Sequence, residues 1–354
     1  MSEAPRRAAF VDRLSRRILP RLVRYTNRAG SALTTLHQRP RAACGYGSWP
    51  DPDIDHRRMA IVMQGPISSG FTLETLKLYA RHMPGCDIIL STWADTPEHV
   101  LAPIRALGVR VVLSEKPAIA GLFNVNMQIT SAAAGVRAAV AAGALWVLKT
   151  RVDQRLGDRN ALAFLKGMAQ AFPPAAGTGQ TARIIGVGHG SLKFVPYHLT
   201  DQTVFGSARD MLAYWTPLLR EGAAPDHWPV TSADIFAQLP IGEIARHGAA
   251  ETYLASCFLQ HMGHETVWTV ADSWAAFRDR FCFIDPAMVD FCWEKEQANS
   301  LAEHMRRYDM ISNRYEMGFG EWLLLHSGQI PATAGARYEG MLRTRFHAPV
   351  PEPD

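Results

Sequence analysis

The chain has 354 residues, of which 47% are hydrophobic and 20% charged, and its formal net charge is +4. This composition is typical of a globular protein of one large or two modest domains, and it excludes a disordered, collagen-like or disulfide-stapled chain. The five cysteines form no C-x-x-C pair, and the first residues do not resemble a cleaved signal peptide. We therefore expect reduced thiols and a cytoplasmic location, and we find no stretch that is apolar and long enough to span a membrane.

The positive charge is concentrated in the first 42 residues, which contain ten arginines, one Glu and one Asp. This segment carries +8, so the remainder of the chain carries −4. Phe10, Leu14, Ile18 and Leu22 recur every four residues with arginines between them, which predicts a basic amphipathic helix. Residues 8–25 would suit an anionic membrane surface, although packing on the parent domain explains the pattern equally well. Nucleic acid is disfavoured as a partner because the rest of the chain is acidic.

Residues 1–57 are predicted to form the basic arm and a linker. After them, apolar runs alternate with amphipathic segments. The predicted strands are 59–63, 88–90, 109–113 and 145–148, and the predicted helices are 72–83, 96–107 and 126–142. This alternation predicts an α/β fold with a doubly wound, mostly parallel sheet, which binds ligands at the carboxyl ends of its strands. The sequence contains neither G-x-G-x-x-G after the first strand nor G-x-x-x-x-G-K-[ST], which argues against dinucleotide enzymes and P-loop proteins.

The second half of the chain mixes shorter elements. Strands are predicted at 183–187, 203–205 and 265–270, and helices at 208–219 and 250–262. We therefore predict an α/β domain over 58–270, a mainly helical acceptor or cap region over 271–346, and a Pro-rich tail over 347–354.

The most informative charged residues directly follow the fourth predicted strand. Asp153 lies there between Arg151 and Arg155. A carboxylate at that position could bind Mn²⁺ or Mg²⁺ bridging the oxygens of a diphosphate, while an arginine takes phosphate charge directly. A purely structural ion pair is an equally good interpretation.

Other candidates lie at the beginnings of two predicted helices. Asn124 and Asn126 precede and open one helix, where they would either contact a bound anion or cap the helix. Glu251 opens the other, as a general base for an acceptor hydroxyl or as a residue stabilised by the helix dipole. Asp201 is a weaker candidate for holding an acceptor.

Seven segments occur in a consistent order over residues 58–270. They are MQGPI (63–67), LSTW (90–93), LSEKP (113–117), NVNMQ (124–128), KTRVDQR (149–155), DQTVFG (201–206) and ETYL (251–254). Together they resemble the WavE family of lipopolysaccharide biosynthesis proteins. The resemblance implies a GT-A-like nucleotide-sugar fold and a glycosyltransferase that acts in the assembly of lipopolysaccharide core or surface polysaccharide.

The resemblance also implies roles for individual residues. Glu251 would be the catalytic base, Asp201 would bind the acceptor, and Asp153 would occupy the place of the metal-binding D-x-D. Because Arg151 replaces the first carboxylate of that motif, it could supply the positive charge that a metal would bring. The residues implied in nucleotide-sugar binding are Gln64, Gly65, Pro66, Ser91, Trp93, Glu115, Asn124, Asn126, Arg151 and Arg155.

Three functions remain open from the sequence. The first is an inverting glycosyltransferase that uses a nucleotide sugar and a lipid-linked or core oligosaccharide, peripherally bound to the inner membrane. The second is a sugar-phosphate nucleotidyltransferase. Residues 64–70 argue against this function, because they contain no Lys or Arg to bind a triphosphate. The third is a non-catalytic scaffold at the membrane surface.

Overall fold

The computed structural model describes residues 14, 17, 18, 21, 55–67, 69–188, 190–221, 225–229, 232–294 and 315–346. The chain divides into two compact units, Met1–Arg41 and Ala42–Asp354. In the first unit the four described residues are helical, and Leu14 and Ile18 are 44% and 50% exposed. The rest of the predicted basic helix, most of the linker and the Pro-rich tail lie outside the described residues.

Nine strands form two sheets in the described part of the second unit. They are β1 (Met59–Gln64), β2 (Asp87–Trp93), β3 (Arg110–Ser114), β4 (Trp146–Arg151), β5 (Gln154–Leu156), β6 (Ile184–Val187), β7 (Thr203–Ser207), β8 (Phe281–Ile284) and β9 (Phe291–Trp293). The main sheet has the order β3-β2-β1-β4-β7-β6-β8, and β5 pairs with β9 in a separate small sheet.

The helices cover the sheet and extend into the second half of the chain. They are α1 (Ser69–His82), α2 (Glu98–Arg105), α3 (Val125–Ala141), α4 (Ala161–Ala171), α5 (Ala208–Trp215), α6 (Ser232–Gln238), α7 (Ile241–His247), α8 (Ala250–His261), α9 (Val270–Arg280) and α10 (Phe319–His326). Short 3-10 segments occupy Leu122–Asn124, Pro286–Val289 and Ala332–Arg343. None of the helices in the described ranges is long and apolar enough to cross a membrane.

One strand of the main sheet runs against the others. β1 to β4 are parallel to one another, β6 is parallel to β8, and β7 is antiparallel to both β4 and β6. The predicted α/β fold with a mostly parallel sheet is therefore confirmed. Because β7 is reversed, its beginning at Thr203, rather than its end, lies beside the carboxyl ends of β1 and β4. The segment before β7 is thereby brought to the carboxyl ends of the parallel strands, the edge at which sheets of this class bind ligands.

The first strand and the helix α3 form the centre of the core. All six residues of β1 are buried, as its continuous apolar run predicts. α3 packs across β1, β2 and β3. The close approach depends on Gly135, where a Cβ atom would lie 2.4 Å from Val62 Cγ1 and 3.0 Å from Ser91 Cβ. A larger residue there would push α3 away from the sheet.

The predicted strand at 265–270 is wrong. Residues 264–268 adopt no regular structure, and Trp268 has a positive φ of 64°, which an extended strand does not allow. Thr269 instead caps α9 by accepting a hydrogen bond from the backbone N–H of Asp272. The alternation of apolar and polar residues in this segment thus comes from a loop that leads into a helix.

The described residues after 270 include α9, α10 and two 3-10 segments, and they also supply strands. β8 forms one side of the main sheet by pairing with β6, and β9 pairs with β5. The region over 271–346 therefore contributes a strand to each sheet, which the sequence analysis did not predict. The domain division at residue 270 itself stays a prediction.

Candidate functional site

A cluster of charged side chains lies at the carboxyl ends of β1 and β4. It consists of Lys149, Arg151, Asp153, Asp201 and Glu251, and we call it the strand-end cluster. The charges of Asp153, Asp201 and Glu251 all act on the guanidinium of Arg151. The structure thus brings together four of the predicted site residues from three distant parts of the sequence, and it adds Lys149.

Arg151 and Asp153 form a two-pronged ion pair at the end of β4. Arg151 Nε donates to Asp153 Oδ1 and Nη2 donates to Oδ2, both at 2.9 Å. Trp293 Nε1 donates to the same Oδ2, also at 2.9 Å, and the Trp293 ring centroid lies 5.6 Å from the guanidinium. Burial tends to raise the pKa of Asp153, but the hydrogen bonds and charge of Arg151 lower it below its usual value. Asp153 is therefore ionised.

Lys149 is a fully buried residue within β4. Its Nζ donates to the backbone carbonyls of Asp201 at 2.6 Å and of Gln202 at 3.3 Å, and lies 4.4 Å from the centroid of the Trp215 ring. Burial lowers its pKa to about 7, although the charge of Asp201 opposes the shift. Lys149 thereby fixes the segment before β7 against the end of β4. The sequence analysis missed this role. A lysine inside an otherwise apolar strand could have indicated it.

Glu251 is the second residue of α8 and belongs to the strand-end cluster. Its side chain is 27% exposed, and Oε2 lies 4.0 Å from His198 Nε2. Burial, followed by the negative charge of Asp201, raises the pKa of Glu251 to about 8. Burial lowers the pKa of His198 to about 4, so this imidazole is neutral at pH 7. A carboxyl group with a pKa near neutrality is suited to exchange protons with a bound substrate.

Two buried polar atoms near Glu251 lack hydrogen-bond partners among the described residues. They are His198 Nδ1 and the hydroxyl of Tyr214. Burial and then the charges of Asp201 and Glu251 raise the pKa of Tyr214 well above its usual value. Because buried polar atoms are normally hydrogen-bonded, unpartnered ones beside ionisable groups are expected where water or substrate binds.

Several predicted nucleotide-binding side chains are instead engaged with the protein. Gln64 Nε2 donates to Ser131 Oγ at 2.8 Å, and Ser91 Oγ donates to the Ser131 carbonyl at 2.6 Å. Asn126 Nδ2 donates to the carbonyls of Ile119 and Arg220 at 3.0 and 2.9 Å. Its Oδ1 accepts from the Arg220 backbone N–H at 2.8 Å. These amides and the hydroxyl position α3 and the adjoining loops, so a direct contact with a nucleotide would have to displace existing bonds.

The remaining predicted residues differ in how accessible they are. Gly65 is buried with φ 126°, a conformation that favours glycine, and its N–H donates to the Ser91 carbonyl. Pro66, Glu115 and Asn124 are exposed, whereas Trp93 is buried. These residues stay candidates for nucleotide-sugar binding.

Arg155 belongs to a different environment from Arg151. Its Nε donates to Thr75 Oγ1 at 3.0 Å, and its guanidinium lies 4.4 Å from the ring centroid of Phe71. It is buried against α1, which contains both residues. The contacts favour a structural role for Arg155 over the predicted role in binding a diphosphate.

The residues present do not fit a bound Mn²⁺ or Mg²⁺ ion. Both oxygens of Asp153 already accept hydrogen bonds from Arg151, and one also accepts from Trp293. Within the ranges that the structure describes, no three His, Cys, Asp or Glu side chains are grouped so that they could hold a metal. Divalent cations of this type need several oxygen ligands. The prediction that Asp153 is a metal ligand is thus not supported by its surroundings.

Comparison with known protein families decides the relationship. A family described as WavE lipopolysaccharide synthesis matches residues 59–325, which include every strand of both sheets and the whole strand-end cluster. The chain belongs to this family. The WavE assignment relates the protein to lipopolysaccharide synthesis, and no curated protein matched its sequence.

Solved structures resemble the WavE chain only in part. A cytidylyltransferase from Leptospira borgpetersenii is 12% identical with a TM-score of 0.27, covering 45% of this chain and 64% of that one. A mannose-1-phosphate geranyltransferase from Thermus thermophilus is 18% identical with a TM-score of 0.25, covering 46% of this chain and 53% of that one. The matches span less than two thirds of either neighbour, and similarity of this extent assigns no activity.

Proposed function

We propose that this WavE protein is an inverting glycosyltransferase that moves a sugar from a nucleotide sugar to a lipopolysaccharide core or surface-polysaccharide acceptor. The observation that carries the proposal is that the strand-end cluster places a carboxyl group able to accept a proton near a guanidinium cation. Glu251, with its pKa raised to about 8, lies within electrostatic reach of the Arg151 guanidinium. A transfer of this kind needs a proton acceptor and a cation for the departing diphosphate.

In the proposed reaction a hydroxyl oxygen of the acceptor attacks the anomeric carbon of the donor sugar. The bond from that carbon to the diphosphate oxygen breaks, and the diphosphate leaves with the electron pair. Ionised Glu251 takes the hydroxyl proton, and Arg151 stabilises the negative charge that develops on the leaving group. One direct displacement inverts the anomeric centre. Asp201 would orient the acceptor, since its segment is fixed by Lys149 beside the base.

The raised pKa of Glu251 has a direct consequence for the rate. Only the ionised carboxylate accepts a proton, so the rate should rise with pH until about pH 8. A base of high pKa is also a stronger proton acceptor once it is ionised. Donor binding, which does not require this proton transfer, should depend less on pH.

The basic first unit supports a location at the inner face of the inner membrane. Leu14 and Ile18 are one helical turn apart and about half exposed, and Arg17 and Arg21 are helical beside them. Exposed leucine and isoleucine with flanking arginines suit an anionic lipid surface. A lipid-linked or core oligosaccharide would be presented at that surface.

The test begins with a thermal-shift panel of UDP-, GDP-, CDP- and ADP-sugars on the full chain. A donor at a hundred times its Kd should stabilise the protein by about 2.7 kcal/mol, which is readily seen as a raised Tm. Transfer from that donor to purified lipopolysaccharide core is then measured for the wild type, Glu251→Gln and the control Glu265→Gln. Glu265 is an exposed carboxylate outside the strand-end cluster.

Glu251→Gln should still bind the donor but transfer at least about a hundred times more slowly, because the general base is lost. The control should match the wild type. Transfer by Glu251→Gln at the wild-type rate would refute the assigned base. Release of pyrophosphate from a nucleoside triphosphate and a sugar phosphate would favour the nucleotidyltransferase instead, and binding of no nucleotide sugar would favour the scaffold.

A further inference from the structure

We infer that Arg151, held in place by Asp153 and Trp293, binds the donor diphosphate without a divalent cation. This inference rests on the proposed function and concerns how the same site binds its donor. It assigns Arg151 to substrate binding and makes Asp153 and Trp293 positioning residues.

The first argument is the state of the Asp153 carboxylate. Its two oxygens accept three hydrogen bonds of 2.9 Å, two from Arg151 and one from Trp293. The backbone is fixed as well, because the Asp153 carbonyl accepts from the Glu294 N–H and the Val152 N–H donates to the Gln64 carbonyl. A cation at this carboxylate would have to replace charge-assisted bonds and lie beside a guanidinium.

The second argument is which member of the pair is accessible. The Arg151 side chain is 27% exposed and that of Asp153 is 12% exposed. A ligand approaching from solvent therefore meets the cation more readily than the carboxylate. A diphosphate would be attracted by that cation, whereas a free metal ion would be repelled by it.

The third argument is the donor capacity that remains on Arg151. A guanidinium has five N–H donors, and the contacts with Asp153 use only Nε and Nη2. Nη1 makes no hydrogen bond to any residue in the described ranges. Burial tends to lower the pKa of Arg151, but its hydrogen bonds and the charge of Asp153 raise it, so the group remains charged. Nη1 and the second hydrogen of Nη2 can thus donate to phosphate oxygens.

Asp153 and Trp293 would act by orienting that cation. The two-pronged contact fixes the plane of the guanidinium, and the indole both donates to Asp153 and lies close to Arg151. Arginine loses less conformational freedom on binding when its plane is already fixed. Loss of Asp153 should therefore weaken diphosphate binding without making it depend on metal.

The experiment measures binding of UDP, GDP, CDP and ADP to the full chain by calorimetry, in EDTA and in excess Mn²⁺. The wild type should bind one diphosphate with a Kd that agrees within about threefold in the two conditions. Arg151→Met should weaken binding by at least about tenfold in both. Asp153→Asn should retain measurable binding that is equal with and without Mn²⁺. Arg278→Met is the matched control, because Arg278 makes the same kind of two-pronged pair with Asp279 outside the cluster.

Two further measurements keep the outcome decisive. If Arg151→Met fails to fold, Arg151→Lys keeps a charge but loses the fork, and it should bind several times more weakly than the wild type. Electron paramagnetic resonance with Mn²⁺ alone should detect no binding by the wild type beyond that of Asp153→Ala.

Binding that requires Mn²⁺, disappears in Asp153→Asn and survives in Arg151→Met would overturn the inference while leaving the proposed function intact. Binding of no diphosphate and no nucleotide sugar under either condition would reject the proposed function, and the inference with it.

Discussion

Replacing Glu251 with glutamine should change how the stability of the protein depends on pH. Burial and the charge of Asp201 raise the pKa of Glu251 from an ordinary value of 4.5 to about 8 in the folded protein. In the unfolded chain the ordinary value applies. Between these two values the folded state holds one proton more than the unfolded state, so stability falls as the pH rises through this window. The contribution of protonated Glu251 to the free energy of unfolding is fully present below pH 4.5 and lost above about pH 8.

The expected slope follows from that single proton. One proton of difference changes the free energy of unfolding by about 1.4 kcal/mol per pH unit. The interval from about pH 5.5 to 6.5 lies well inside the window, so its slope does not depend on the exact pKa. The lowered pKa of His198 acts in the opposite direction there, and Lys149, with a pKa of about 7, is still mostly charged. Both residues are present in the variant, so their effects largely cancel in the comparison.

The measurement is urea unfolding of the wild type, Glu251→Gln and the exposed control Glu265→Gln at both pH values. From the lower to the higher pH the wild type should lose about 1.4 kcal/mol relative to Glu251→Gln. Glu265→Gln should follow the wild type, because its carboxylate is exposed. An identical pH dependence for the wild type and Glu251→Gln would refute the argument, since Glu251 would then ionise like a surface residue.

Three other predictions test the fold and the first unit. Asn126→Ala removes three hydrogen bonds and should lower the free energy of unfolding by about 2–4 kcal/mol, measured in urea. The exposed control Asn124→Gly should lower it by less than about 1 kcal/mol, because glycine adopts the positive φ of 61° at this position without strain. Gly135→Ala should lower the free energy of unfolding in urea by about 1–3 kcal/mol, because its methyl group clashes with β1. The control Gly167→Ala, in an open part of α4, should raise it by about 0.5–1 kcal/mol. Removal of residues 1–41 should abolish sedimentation with phosphatidylglycerol vesicles, and persistent sedimentation would reject the arm as a membrane contact.

The parallel half of the sheet could be predicted because its signals are local. β1 is an uninterrupted apolar run that ends at Gln64-Gly65-Pro66, and all six of its residues are buried. Glycines and prolines also marked the ends of the first helices. The order and direction of the later strands could not be predicted in this way. Nothing within residues 203–207 encodes that β7 pairs antiparallel between β4 and β6, since that depends on contacts with distant segments.

The residues of the candidate site could be proposed from the sequence only in part, for the same reason. Asp153 and Glu251 became candidates because a carboxylate after a strand or at a helix start is visible in the sequence. The partners that define their chemistry are remote, and Trp293 lies 140 residues from Asp153. Asn126 showed the opposite problem, because its place at a helix start suggested a ligand contact while its amide bonds to Arg220, 94 residues away. Residue type and position therefore predicted candidates that the structure brings together, but not which of their polar groups already bond to the protein.

The position of β7 in the sheet also matters while the chain is being synthesised. β1 to β4 are complete once Arg151 has left the ribosome. One edge of β4 then stays unpaired until β7 is synthesised, more than fifty residues later. An unpaired strand of this kind readily associates with other chains, so the nascent protein passes through a stage in which it is prone to aggregate. Asp153 gains its indole partner later still, when Trp293 emerges. Ribosome-bound fragments that end before this residue would already contain the four parallel strands and yet lack the hydrogen bond from Trp293 to Asp153.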